Sequence, residues 1–149
     1  MITSQTIFVV PILLASVYTD LRTGKIKNKL IFSAMISGCL LNYVTGGLAA
    51  VACGIKMAAI TIAFLYVLFL IGGLGAGDIK LLALIGLLFP DNVILITVLS
   101  FLIAGGIAFI RIVGRIIRRE KAIVKGETMH FSVPIVMAFV LEVLLKGIR

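Results

Sequence analysis

Apolar residues run along this chain with few interruptions, and the polar positions that break them fall in clusters. Residues 1–19, 30–55, 57–77 and 92–110 contain no charged side chain. Each run is long enough for a membrane-spanning helix, which needs about 18 to 20 apolar residues. Two shorter apolar runs, 81–90 and 131–141, must also be placed. Gly46-Gly47 and Pro90-Asp91-Asn92 supply the punctuation at which helices stop. The pattern predicts six helices, at about 2–19, 30–46, 49–73, 76–91, 92–113 and 131–148, in an all-α polytopic membrane protein with six transmembrane helices. Residues 1–149 then form a single integral membrane domain. The fourth segment is short, since Ile79 to Phe89 covers 11 residues, a length common in buried or re-entrant segments.

Composition agrees with this pattern. The apolar share is 62% and the charged share 13%, against about 25% charged in soluble domains. A soluble enzyme, a secreted scaffold and a coiled coil are excluded. The net charge of +8 does not indicate nucleic acid, because that reading needs a basic patch on a soluble surface. Arg22, Lys25, Lys27 and Lys29 instead fall between the first two runs, and Arg111, Arg115, Arg118, Arg119, Lys121 and Lys125 between the last two. With six crossings and the N-terminus outside, both basic loops face the cytoplasm, and only Lys146 and Arg149 of the terminal positions lie outside. If the fourth segment did not cross, the two loops would land on opposite sides and the charge bias would vanish. A multi-pass protein of the cell membrane is expected. Basic residues follow the first apolar run, so a cleaved signal peptide is not expected. Cys39 and Cys53 lie within spans, and His130 is the single histidine, so neither a metal site, a cofactor nor a disulfide framework is expected.

Parity brings two carboxylates to the cytoplasmic membrane boundary: Asp20 at the end of the first span and Asp78 at the start of the fourth. An ionisable group in a span is expensive and reads first as functional. Asp78 follows a glycine-rich stretch, Gly72-Gly73-Leu74-Gly75-Ala76-Gly77. Glycine offers no side chain to block a neighbouring backbone, so Gly75 and Gly77 are candidates for admitting an extended peptide beside Asp78. Packing through small residues would explain them equally well. Asp20 alone could be paired with Arg22 or Lys25. Together, two carboxylates at one boundary are the minimum equipment of an aspartic protease, in which like charges a few Å apart share one proton, one member activating water and the other polarising the scissile carbonyl. Asp20 and Asp78 are the candidate catalytic residues. Lys80, two positions beyond Asp78, points away from it on a helix and is expected to snorkel.

Two motifs carry a resemblance. Asp20-Leu21-Arg22-Thr23-Gly24-Lys25-Ile26-Lys27-Asn28 is similar to an aspartate followed by a basic stretch and Ile-Pro-Asn, and Gly75-Ala76-Gly77-Asp78-Ile79-Lys80 is similar to a Gly-x-Gly-Asp signature with its hydrophobic residue and lysine. In order and in placement the chain resembles the type IV prepilin peptidases, membrane aspartic proteases related to archaeal preflagellin peptidases. Lys27 stands where that family has proline, and the chain lacks the family's cysteine-bearing cytoplasmic insert, as the short, peptidase-only forms serving Flp/Tad-type pili do. The resemblance implies a precursor pilin substrate with a short basic leader, cut just after glycine before a hydrophobic helix. Since such a leader is repelled by basic loops, those loops are expected to engage anionic lipid of the bilayer. Met129-His130-Phe131-Ser132-Val133-Pro134 matches the family loosely, and no site residue is assigned there.

The rival class is a small proton-coupled transporter or channel using the same carboxylates, against which stands the lack of internal duplication or paired broken helices. Glu120 and Glu127 are expected to balance local charge, Glu142 and Lys146 to pair along the last helix, and His130, Tyr18, Tyr43 and Tyr66 to anchor at interfaces or pack. Lys56 is expected to snorkel from the outer end of the third span.

Overall fold

The buried residues of the first helix recur at intervals of three and four: Thr6, Val9, Leu13, Ser16 and Asp20. This is one face of an α-helix. The other faces expose Ile7, Val10, Leu14, Tyr18 and Leu21. Polar groups are thus turned inward and large apolar ones outward, the arrangement expected where the surrounding solvent is hydrocarbon. A computed structural model describes residues 4–24, 26–117 and 131–147. The expectations for Lys25, Arg118, Arg119, Glu120, Lys121, Lys125, Glu127, His130 and Arg149 lie outside the described residues.

The described chain is all-α, with helices α1 (Ser4–Thr23), α2 (Asn28–Leu70), α3 (Ala76–Leu88), α4 (Val93–Ile117) and α5 (Ser132–Gly147). Five helices therefore stand where six segments were expected, because the second and third are one element interrupted at Gly47, whose φ of 67° and ψ of −163° are not helical. The chain doubles back there. Asn42 and Gly54 would lie roughly 18 Å apart along an unbroken helix at 1.5 Å per residue. Instead, a Cβ built on Gly54 would sit 2.9 Å from the Asn42 side-chain nitrogen, and both residues meet Leu87. The arms 28–46 and 48–70 run antiparallel, about 28 and 34 Å long at that rise. The backbone angles at Gly47 belong to a region open essentially to glycine alone, and other residues there are strained by about 1–3 kcal/mol. A Cβ at Gly47 would touch nothing within 4 Å, so backbone strain is the whole effect. Gly47→Ala is accordingly expected to lower unfolding stability by about 1–3 kcal/mol, read by thermal unfolding in detergent.

Three helices, α1, α2 and α4, are long and apolar enough to cross a membrane. The fourth expected segment ends earlier than residue 91: α3 has 13 residues, about 20 Å. It is buried on every side, with Ile79 and the whole run Leu81–Leu88 inside. That explains its unbroken apolar sequence, since a helix enclosed all round has no polar stripe. α5 has 16 residues and buries Phe131, Ser132, Ile135, Ala138, Phe139 and Glu142 against its neighbours. Phe139 meets Phe89 edge-on at 5.4 Å, and Phe131 meets Phe101 at 5.0 Å. In α4 the fully buried positions stop at Ala104, beyond which Ile107, Ala108, Gly114 and Arg115 are half-buried.

The end of the bundle formed by the α3–α4 connection is tied by amides. α3 ends inside the protein, where its last carbonyls need donors from elsewhere. Asn42 supplies one, donating to the Leu87 carbonyl oxygen at 2.7 Å while its own oxygen accepts from Gln5 Nε2 at 2.9 Å. The expected Glu142–Lys146 pair forms at 3.2 Å near this same end.

Candidate active site

Asp20 lies in the last turn of α1, one turn inside the expected boundary, because the helix continues to Thr23 before Gly24 stops it at φ 64°. The Gly24 N–H donates to the Asp20 carbonyl oxygen at 2.7 Å. A residue in the left-handed region is the common end of a helix. Asp20 is 7% exposed, on the buried face.

Asp78 lies in the first turn of α3, whose N-cap is Gly75, and is half-buried. A carboxylate there is favoured by the helix dipole. The glycine-rich stretch before it divides into separate tasks. Gly72, at φ 74°, ends α2 as Gly72 N–H donates to Phe69 and Gly73 N–H to Leu68, the two bonds of a Schellman turn. Gly75 leaves room for the neighbouring carboxylate: a Cβ on it would lie 2.8 Å from Asp78 Oδ2. At Gly77 a Cβ would lie 3.1 Å from the Cβ of Ile26. Gly77 thus faces Ile26 of this chain, while Gly75 is exposed at its surface.

The two motifs, far apart along the chain, therefore meet at one end of the bundle. Ile26 packs on Gly77, and Lys80 Nζ donates to Asn28 Oδ1 at 2.9 Å, closing the contact. Lys80 is exposed as expected, and its ammonium is engaged by the amide that ends the first motif. Arg22 turns outward, its Nη1 donating to Tyr18 Oη at 2.9 Å.

A third element joins them. Ser132 opens α5, is fully buried, and donates through Oγ to Asp20 Oδ2 at 2.5 Å. Sequence reasoning assigned no role to this serine. No local signal marks it, because a serine in the first turn of a helix is common and its acceptor lies 112 residues away. An apolar groove of about 520 Å³ between the arms of α2 opens beside the motif contact, lined by Asn28, Lys29, Ile31, Phe32, Met35, Ile62 and Lys80.

A family model described as the type IV leader peptidase family matches residues 7–110. The match takes in α1, both arms of α2, α3 and much of α4, and so includes Asp20 and Asp78 but not Ser132. No curated protein and no solved structure matches the chain.

Proposed function

This chain belongs to the type IV leader peptidase family, and from that premise we propose that it is a membrane aspartic endopeptidase acting without metal or cofactor. Its substrate is a pilin-like precursor whose short basic leader is removed at the membrane boundary, and Asp20 and Asp78 form the catalytic pair. The observation that carries this reading is the meeting of the two aspartate-bearing motifs through Ile26 on Gly77 and Lys80 on Asn28. Two carboxylates at one end of a bundle suit hydrolysis of a peptide bond, one accepting a proton from water and the other donating to the carbonyl oxygen. Gly75 keeps the approach to Asp78 free of a side chain, and Gly77 lets the two motifs close. The polypeptide crosses the bilayer six times as one domain, with its N-terminus outside and the aspartates toward the cytoplasm. The doubling-back at Gly47 supports two crossings within α2, and two short helices complete the number: α3, enclosed by its neighbours, and α5, which keeps an exposed apolar face. A substrate whose mature part begins with an apolar helix would partition into the same bilayer and present its leader junction at this end.

The test is cleavage of a pilin precursor by the purified protein in lipid vesicles, with the mass of the products locating the cut. Wild type is expected to release the leader, and Asp20→Ala and Asp78→Ala to leave the precursor whole; processing by both variants rejects the pair. Gly77→Val, which would push Ile26 away, is expected to slow cleavage by about 10²-fold, as misplacement by about 1 Å does. Gly105→Ala is the control, because a Cβ there meets nothing within 4 Å.

A further inference from the structure

We propose that Ser132 is a positioning residue for the reaction, holding Asp20 in one orientation as a hydrogen-bond acceptor. The inference rests on the aspartic-peptidase reading and adds an element outside the matched stretch of the chain. Its basis is the 2.5 Å bond from Ser132 Oγ to Asp20 Oδ2, made between two buried groups 112 residues apart.

Ser132 is the first residue of α5, and its hydroxyl proton goes to another helix. The same placement brings Asp20 to the N-terminal end of α5, as Asp78 sits at that of α3, and both helix dipoles favour negative charge at this end of the bundle. Among the described residues, the other charged groups toward this end of the surrounding elements are Arg22 on α1, Lys27 and Lys29 where α2 begins, Asp78 and Lys80 on α3, and Arg111 and Arg115 near the end of α4; Lys56 on α2 and Glu142 and Lys146 on α5 lie further along those helices. Of these, Arg22 bonds to Tyr18 and Lys80 to Asn28.

The reaction balances with either carboxyl group as the base. One takes a proton from water as the water oxygen bonds to the scissile carbonyl carbon, and the other, protonated, gives its proton to the carbonyl oxygen. The resulting diol collapses as the C–N bond breaks. The leaving nitrogen takes the proton held by the first, and the hydroxyl formed from the carbonyl oxygen returns its proton to the second as the C=O bond is restored. Both carboxyl groups end as they began. Ser132 gives up no atom and touches no substrate; it keeps Asp20 in one orientation.

The experiment compares kcat and KM for a precursor peptide in vesicles across wild type, Ser132→Ala, Ser132→Thr, Asp20→Asn and Asp78→Asn, with thermal unfolding recorded for each. Ser132→Ala is expected to lower kcat by about 10- to 100-fold with KM unchanged, since orientation of a catalytic group is lost while substrate contacts stay. Ser132→Thr keeps a hydroxyl and is expected to restore most of the rate. Wild-type kcat in Ser132→Ala, or a threonine variant that unfolds like wild type yet is as slow as alanine, overturns the proposal. If the two asparagine variants are inactive while Ser132→Ala is not impaired, the peptidase reading stands and the serine role alone falls. Cleavage by both asparagine variants at the wild-type rate overturns both.

Discussion

Asp20→Asn and Asp78→Asn are each expected to reduce the cleavage rate by about 10⁴-fold, the upper range for loss of a general acid or base, and the double variant is expected to fall little further. Asparagine matches aspartate in shape, so the fold has no reason to change. Its amide oxygen can still accept from Ser132, and at position 78 it still fits above Gly75, where the native carboxylate oxygen lies 2.8 Å from the place a Cβ would take. What is removed is the ability to move a proton. Groups that act as one unit give strongly non-additive effects, because losing either member already disables the pair. Single-turnover cleavage of a precursor peptide by the four proteins measures this directly. Additive losses, with the double variant slower than each single by another several orders of magnitude, would mean that the aspartates act independently.

Replacing Gly54 with alanine is expected to be the most damaging glycine-to-alanine change among the described residues, lowering stability by about 3 kcal/mol, the top of the range for overpacking. The added carbon would run into the Leu87 carbonyl oxygen, which belongs to backbone and cannot swing aside. It would also press on the Asn42 amide that donates to that same oxygen. The bond from Asn42 satisfies an otherwise orphaned carbonyl at the buried end of α3, so displacing it exposes a second defect. Gly105→Ala, which meets open space, is expected to be neutral or slightly stabilising, since alanine is the better helix former. Thermal unfolding in detergent separates the two. Equal melting for Gly54→Ala and wild type would show that the second arm of α2 can shift away from α3.

The positions of the helices were legible because apolar run length and glycine or proline punctuation act locally. Gly46-Gly47 marked the turn, and the structure reverses the chain at Gly47. The end of α3 at Leu88 instead of residue 91 was not legible, because the apolar run continues through Phe89 and Pro90 while the helix stops where Asn42 caps Leu87 from another segment. Charge bias likewise says nothing about how a 13-residue helix is enclosed. At the site, Asp20 and Asp78 stood out as carboxylates in apolar surroundings, and the family membership agrees with the motifs that contain them. The contacts that unite the motifs were invisible, because Ile26 on Gly77 and Lys80 on Asn28 are ordinary residues whose partners the fold selects. Gly72 was one more glycine of a cluster in sequence, whereas its positive φ ends α2. Ser132 escaped for the same reason, since a serine before an apolar helix is common and its distant acceptor is a property of tertiary packing.

The bond between Asp20 and Ser132 joins the first helix to the last. As the polypeptide leaves the ribosome, the carboxylate is made 112 residues before its hydroxyl. The completed arrangement cannot exist on a nascent chain that stops short of α5, so fragments released by interrupted translation lack it.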